Sequence, residues 1–184
     1  MARFILSGFG LDRPGIVAQV SKLLLDLGAN LEDTAMTRLN GQFAMLVMFS
    51  DGTQPLTQTA VETAMTQIVP AVGLPPLHLF VSEVDEDALL LQADPPERYL
   101  IRVSGADRPG IVYSVTRHLA ELGVNIVDLS SRRLCGSERA IYLLLLEVTL
   151  PPNLIGSQLE STVRQLQAQL GLEIQVEPVE VMTL

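Results

Sequence analysis

The stretch Asp12-Arg13-Pro14-Gly15-Ile16-Val17 gathers residue types suited to holding an anion at the start of a helix. It follows an apolar run, Phe4-Ile5-Leu6, and precedes an amphipathic segment that ends at Leu27-Gly28. A helix N-terminus presents unpaired N–H groups and a partial positive charge. Pro14 has no N–H, so Gly15, Ile16 and Val17 supply the nearest donors. Gly10 and Gly15 carry no side chain and let a ligand approach the backbone. A carboxylate suits such a place by the physics that favours anions at helix starts, and the same residues suit a tight strand-to-helix turn that binds nothing. Arg13 reads either as the partner of the neighbouring Asp12 or as a group that meets an anion. Asn30 and Asp33 open the next strand. They read as capping of the turn after Gly28, or as a polar rim for the ammonium group of an amino acid.

All of this recurs 95 residues later as Asp107-Arg108-Pro109-Gly110-Ile111-Val112. Gly105 answers Gly10, Asn125 answers Asn30 and Asp128 answers Asp33; about half the positions between 10 and 33 match their counterparts. A period of this length means two copies of one small domain. The 184 residues allow two domains of the usual minimum size. The expected boundaries are 1–84 for the first domain, 85–96 for a linker and 97–184 for the second. Asp85-Glu86-Asp87 and Pro95-Pro96 mark the linker, although Leu89-Leu90-Leu91 within it is apolar enough to pack on a domain.

The elements that must position these residues follow from periodicity. Ala2–Phe9 reads as a strand, with Gly8 and Gly10 loosening the backbone after it. Pro14 fits a first helical turn and Asp12 the N-cap. Ile16, Val17, Val20, Leu24 and Leu27 form the apolar face, and Gly28 is the stop. Asn30–Leu39 and Gln42–Phe49 are strands about an Asn40-Gly41 hairpin turn. Leu56, Ala60, Ala64 and Ile68 mark a helix closed by Pro70, and Leu77–Val84 a last strand. The second copy repeats the order, with a turn containing Gly136, a helix through Leu154–Leu170 stopped at Gly171, and a closing strand over Leu172–Val181. Pro178 puts the end of that strand at a sheet edge. The class is α+β: two ferredoxin-like βαββαβ domains with antiparallel sheets. The sheet faces opposite the helices need cover, which two domains can supply side by side or back to back.

Composition narrows the function. With 12 basic and 21 acidic residues the net charge is −9, which argues against direct nucleic-acid binding. The Arg132, Arg133, Arg139 group reads as a solvated hairpin. Cys135 is the single cysteine, so no internal disulfide forms, and no histidine near it in sequence would make it a nucleophile. His78 and His118 are isolated and read as structural; no residues have metal-ligand spacing. No leader or membrane-spanning run is visible, so the expectation is a cytoplasmic protein that neither enters a membrane nor carries a cofactor.

Asp-Arg-Pro-Gly-Ile-Val after a strand, a helix ending at Gly, then Asn-x-x-Asp, twice in register, resembles the ACT-domain family over essentially the whole chain. Asn30-Leu31-Glu32-Asp33 through Leu39-Asn40-Gly41-Gln42-Phe43 further resembles the glycine cleavage system transcriptional repressor group, which consists of two ACT domains and little else. The resemblance implies a non-enzymatic regulator that binds an amino acid, such as glycine or serine. It implies a protein partner such as a transcription activator, and homodimers through ACT pairing. Carried over, the ligand-binding positions are Gly10, Asp12, Arg13, Gly15, Ile16, Asn30 and Asp33, with Gly105, Asp107, Arg108, Gly110, Ile111, Asn125 and Asp128 in the second copy. No catalytic residue is implied. The competing readings are a pairing module that binds no ligand, and an acylphosphatase-like enzyme using Arg13 and Asn30 on the same architecture.

Overall fold

Each copy of the repeat folds as β-α-β-β-α-β. The computed structural model describes residues 2–52, 54–71, 77–84, 97–135 and 140–179, in two units, Met1–Ala93 and Asp94–Leu184. The expected linker, the turn at Gly136 and the chain beyond Val179 lie outside the described residues. Among those described, no helix is long and apolar enough to cross a membrane.

The first unit contains β1 (Arg3–Leu11), α1 (Ile16–Asp26), β2 (Asn30–Leu39), β3 (Gln42–Ser50), α2 (Gln58–Ala71) and β4 (His78–Glu83). The sheet is antiparallel in the order β2-β3-β1-β4. Strict alternation along β1 and β3 sends Phe4, Leu6, Phe43, Met45, Val47 and Phe49 to one face. There they meet Ile16, Val20, Leu23 and Leu24 of α1 and Val61 and Met65 of α2. Phe4 stacks on Phe49 at 5.4 Å between ring centres. Burying one such side chain stabilises the fold by about 1.5–3 kcal/mol.

The second unit repeats this with β5 (Arg98–Ala106), α3 (Ile111–Glu121), β6 (Asn125–Cys135), β7 (Ala140–Thr149), α4 (Gly156–Leu170) and β8 (Glu173–Pro178), in the order β6-β7-β5-β8. Its core centres on Ile101, Val103, Val115, Leu144, Leu146 and Leu159.

The helix stops follow the glycines. Gly28 has φ +70° and Gly123 φ +71°, and behind them the N–H groups of Ala29 and Val124 donate to the carbonyls of Leu24 and Leu119. Asn40 and Gly41 both take positive φ, as a two-residue hairpin turn requires.

Several expectations are corrected. The first strand runs through Gly8 and Gly10 to Leu11, because Gly8 supplies room rather than looseness: a Cβ there would press on Leu79 at 2.8 Å. Asp12 does not cap α1. The N-cap is Gly15, and no side chain bonds to it; Pro14 therefore precedes the helix. Val17, expected on the buried face, is exposed, and Leu23 takes its place. The second helix runs one residue past Pro70, since a proline in a last turn removes one ladder bond without ending the helix at once. It begins at Gln58, capped by Thr57, whose Oγ1 accepts the N–H of Ala60 at 3.2 Å.

Candidate functional site

The loop between β1 and α1 owes its shape to Gly15. With φ +95° and ψ −9° this residue holds the third-position conformation of a type II turn, and Pro14 stands in the second position where proline is favoured. Gly110 repeats it at φ +92° and ψ −2°. The first carbonyl of each helix is used: Gln19 N–H donates to Gly15 O at 3.0 Å and Ser114 N–H to Gly110 O at 2.9 Å. The N–H groups of Ile16, Val17 and Ala18, and their counterparts after Gly110, thus stand at a helix start without i−4 partners. The space in front is open. A Cβ on Gly110 would meet nothing within 4 Å, and one on Gly15 only Gln19 Nε2 at 3.8 Å.

Asp12 and Asp107 fix the loop to the neighbouring hairpin. Asp12 N–H donates to Gly41 O at 2.8 Å, and Asp107 N–H to Ala140 O at 3.1 Å. Their carboxylates accept from Arg38 Nη1 at 3.2 Å and Arg133 Nε at 2.7 Å. A carboxylate beside a helix start would repel an incoming anion, and the guanidinium offsets that charge. Arg38 and Arg133 were not singled out from the sequence as site residues. Their signal was the repeat itself, since they occupy the same register. Neither Asp pairs with the adjacent arginine through these bonds. Arg108 instead donates through Nη2 to the carbonyl of Leu170, one of the orphan acceptors at the end of α4, and so ties the loop to that helix.

Gln19 was also passed over. Its Oε1 is buried and finds no hydrogen-bond partner among the described residues, one turn into α1 beside Gly15. A buried acceptor without a partner costs about 1–3 kcal/mol. The repeat gave no hint of it, because Ser114 stands at the matching position.

The remaining candidates disperse. Ile16 and Ile111 are buried in the cores and offer only backbone. Gly10 is buried within β1, and the space beside Gly105 is filled by Leu172. Asn30, Asp33, Asn125 and Asp128 are exposed. Asn30 aligns with Ser50 and through it with Arg3, whereas the loop leaves the opposite end of the sheet, where Leu11 aligns with Gln42. The eleven residues of α1 separate Gly15 from Asn30, a rise of roughly 16 Å. Asp33 lies at the bulge between Leu31 and Thr34. Asn125 and Asp128 repeat these positions at the start of β6, with the bulge just before Asp128. Each unit therefore brings together the loop residues and the hairpin arginine, and sets the Asn apart from them.

His118 Nδ1 lies 2.7 Å from Ser114 O within its own helix, and His78 stacks on Phe9 at 4.9 Å.

Comparison with known proteins agrees with the fold of each unit. The ACT-domain family model matches residues 2–73 and again 97–177. A solved structure of an unknown protein from Galdieria sulphuraria superposes with a TM-score of 0.81 at 26% identity, over 97% of this chain and 99% of that one. A candidate glycine cleavage system transcriptional repressor superposes with a TM-score of 0.74 at 17% identity, over 98% of both chains, a likeness of fold. A UPF0237 protein of Methanopyrus kandleri is 44% identical over 48 residues, 26% of this chain and 53% of the relative. A second, from Methanocaldococcus jannaschii, is 42% identical over 48 residues. The chain spans about half the length of these curated relatives.

Proposed function

Because the chain belongs to the ACT-domain family, with a match in each half, we propose that it is a regulatory protein without catalytic activity that binds a free amino acid and relays that binding to a protein partner. The domains would be 1–84 and 97–184, joined through 85–96. The observation that supports amino-acid binding most is the open ground at Gly15 and Gly110, where the first helix N–H groups have no i−4 partners, no side chain caps them and a Cβ would meet no close neighbour. A carboxylate docks on those donors, and a small amino acid such as glycine or serine suits the space. In the first unit the buried Gln19 Oε1 is an acceptor for the ammonium group. Within one unit Asn30 and Asn125 stand at the end of the sheet opposite the loop.

By the chain's resemblance to the glycine cleavage system repressor group, the partner in this reading is a transcription activator. The net charge of −9 favours control through that partner over direct contact with nucleic acid, and we place the protein in the cytoplasm, with pairing of ACT units as its route to a homodimer. An acylphosphatase-like reaction gains no support from the second loop, where the Arg108 guanidinium is engaged by the Leu170 carbonyl.

A thermal-shift screen of the twenty amino acids tests the reading. A ligand at a hundred times its Kd stabilises the fold by about 2.7 kcal/mol, which moves the midpoint by several degrees. A flat response across all twenty would leave a pairing module that binds no ligand.

A further inference from the structure

Strands β4 and β8 hold equivalent places in the two units, with Val81 aligned to Leu6 and Val176 to Ile101. Each is the outer strand of its sheet, yet their free edges differ. Val84 N–H donates to Arg3 O at 2.8 Å. Antiparallel ladders alternate, so His78, Phe80 and Ser82 bond inward to β1, and Leu79, Val81 and Glu83 turn their N–H and C=O groups away from the sheet. By the same parity, Val179 N–H to Arg98 O at 2.8 Å sets Ile174, Val176 and Pro178 on the free edge of β8. Pro178, the counterpart of Glu83, has no N–H to offer. Glu173 and Glu177 add charge to that strand, Glu177 paired with Arg102 at 2.7 Å. Proline and charge are how natural sheets blunt an edge. The edge of β8 is blunted, and the apolar stretch Leu79-Phe80-Val81 of β4 is not.

Among the described residues no strand pairs with the outer edge of β4, and a groove of about 600 Å³ runs along it, between β4 and α2. It follows the consecutive residues 77–81, with Met65, Leu77 and Val81 buried along it and Glu62 exposed beside it. His78 and Phe80 stack with Phe9 on the sheet face away from α2. Glu62 and Glu83 make the surroundings acidic in a chain of net charge −9. Both carboxylates are exposed beside this edge, and a basic segment neutralises them.

We propose that β4 and the groove beside α2 form a docking site for an extended basic segment of a partner protein, which adds a fifth strand to the first sheet and lowers alternate apolar side chains into the groove. The ladder bonds come from Leu79, Val81 and Glu83, and the preference for basic residues from Glu62 and Glu83. This site stands whether or not the loops at Gly15 and Gly110 bind an amino acid.

The test is fluorescence polarisation of the full-length protein with a labelled octapeptide of alternating lysine and valine. Its companions are the same peptide N-methylated at alternate amides and an alternating glutamate and valine peptide. Saturable binding of the basic peptide is expected, with hydrogen-exchange protection rising at 79–83. N-methylation of the paired amides should weaken it at least about tenfold, and so should the double variant Glu62→Lys, Glu83→Lys. N-methylation leaves the protein untouched, so its effect cannot come from misfolding. No saturable binding, equal binding of the N-methylated peptide, or protection confined to β8 would overturn the proposal. So would sedimentation showing self-association that protects 79–83 without peptide, which would make a second copy the occupant.

Discussion

The Asp107 carboxylate lies 2.7 Å from Arg133 Nε, and Asp12 meets Arg38 Nη1 at 3.2 Å in the matching place. Together with the backbone bonds from Asp12 to Gly41 and from Asp107 to Ala140, these pairs tie each helix-start loop to the neighbouring pair of strands. Both arginines are mostly exposed, so Arg38→Ala or Arg133→Ala should lower the unfolding free energy by no more than about 1 kcal/mol. The freed Asp then repels a docked carboxylate, and amino-acid affinity should fall by more than stability does. Urea denaturation beside calorimetric titration measures both; a loss of several kcal/mol in stability would show that the pairs matter chiefly to folding.

Gly15→Ala and Gly110→Ala should each destabilise by roughly 1–2 kcal/mol, the cost of holding an L-residue in the left-handed region. The added methyl meets no close neighbour at either site, so no steric cost adds to that. A D-alanine at either position, placed by semisynthesis, should restore wild-type stability. If it does not, the strain lies elsewhere than in φ.

Gly105 works differently. A Cβ there would overlap Leu172, and Leu172 is buried. Gly105→Ala should therefore cost about 1–3 kcal/mol by overpacking. In a double-mutant cycle with Leu172→Ala the two losses should add to less than their sum, and strict additivity would deny the contact.

The sequence carried the repeat, the two sheets and the helix stops because each rests on local chemistry. Gly28 and Gly123 had to leave the helix in a left-handed turn, and Asn40-Gly41 had to close a hairpin. The site was less legible. Arg38 lies 26 residues from Asp12, and a long-range charge pair leaves no local pattern. Gly105 reads like a ligand-facing glycine until the Leu172 side chain is seen beside it. Asn30 stands near Gly15 in the chain, yet an intervening helix carries it to the far end of the sheet. Asp12 has the right chemistry for a cap, but the turn at Pro14-Gly15 sends it toward the hairpin instead.

Burial, and then the Glu97 carboxylate at 3.1 Å from its hydroxyl, raise the Tyr99 phenol above the ordinary value of 10.0. The folded state therefore holds this proton more tightly than the unfolded chain. That contribution to stability is fully present below about pH 10 and is lost as pH rises through the raised folded value. Urea denaturation at intervals between about pH 9 and 11 should show a decline that is smaller in Tyr99→Phe. Identical slopes in both proteins would remove Tyr99 from the alkaline transition.

The central claim is that the loops at Gly15 and Gly110 hold an amino acid. Isothermal titration of the full-length protein with each of the twenty amino acids tests it most directly, with Gly15→Val and Gly110→Val as companions and circular dichroism confirming that both remain folded. The account predicts saturable heat from at least one small amino acid, weakened at least about tenfold when a valine side chain occupies the ground where the carboxylate docks. Absence of heat from all twenty, or undiminished binding in both folded variants, would contradict it.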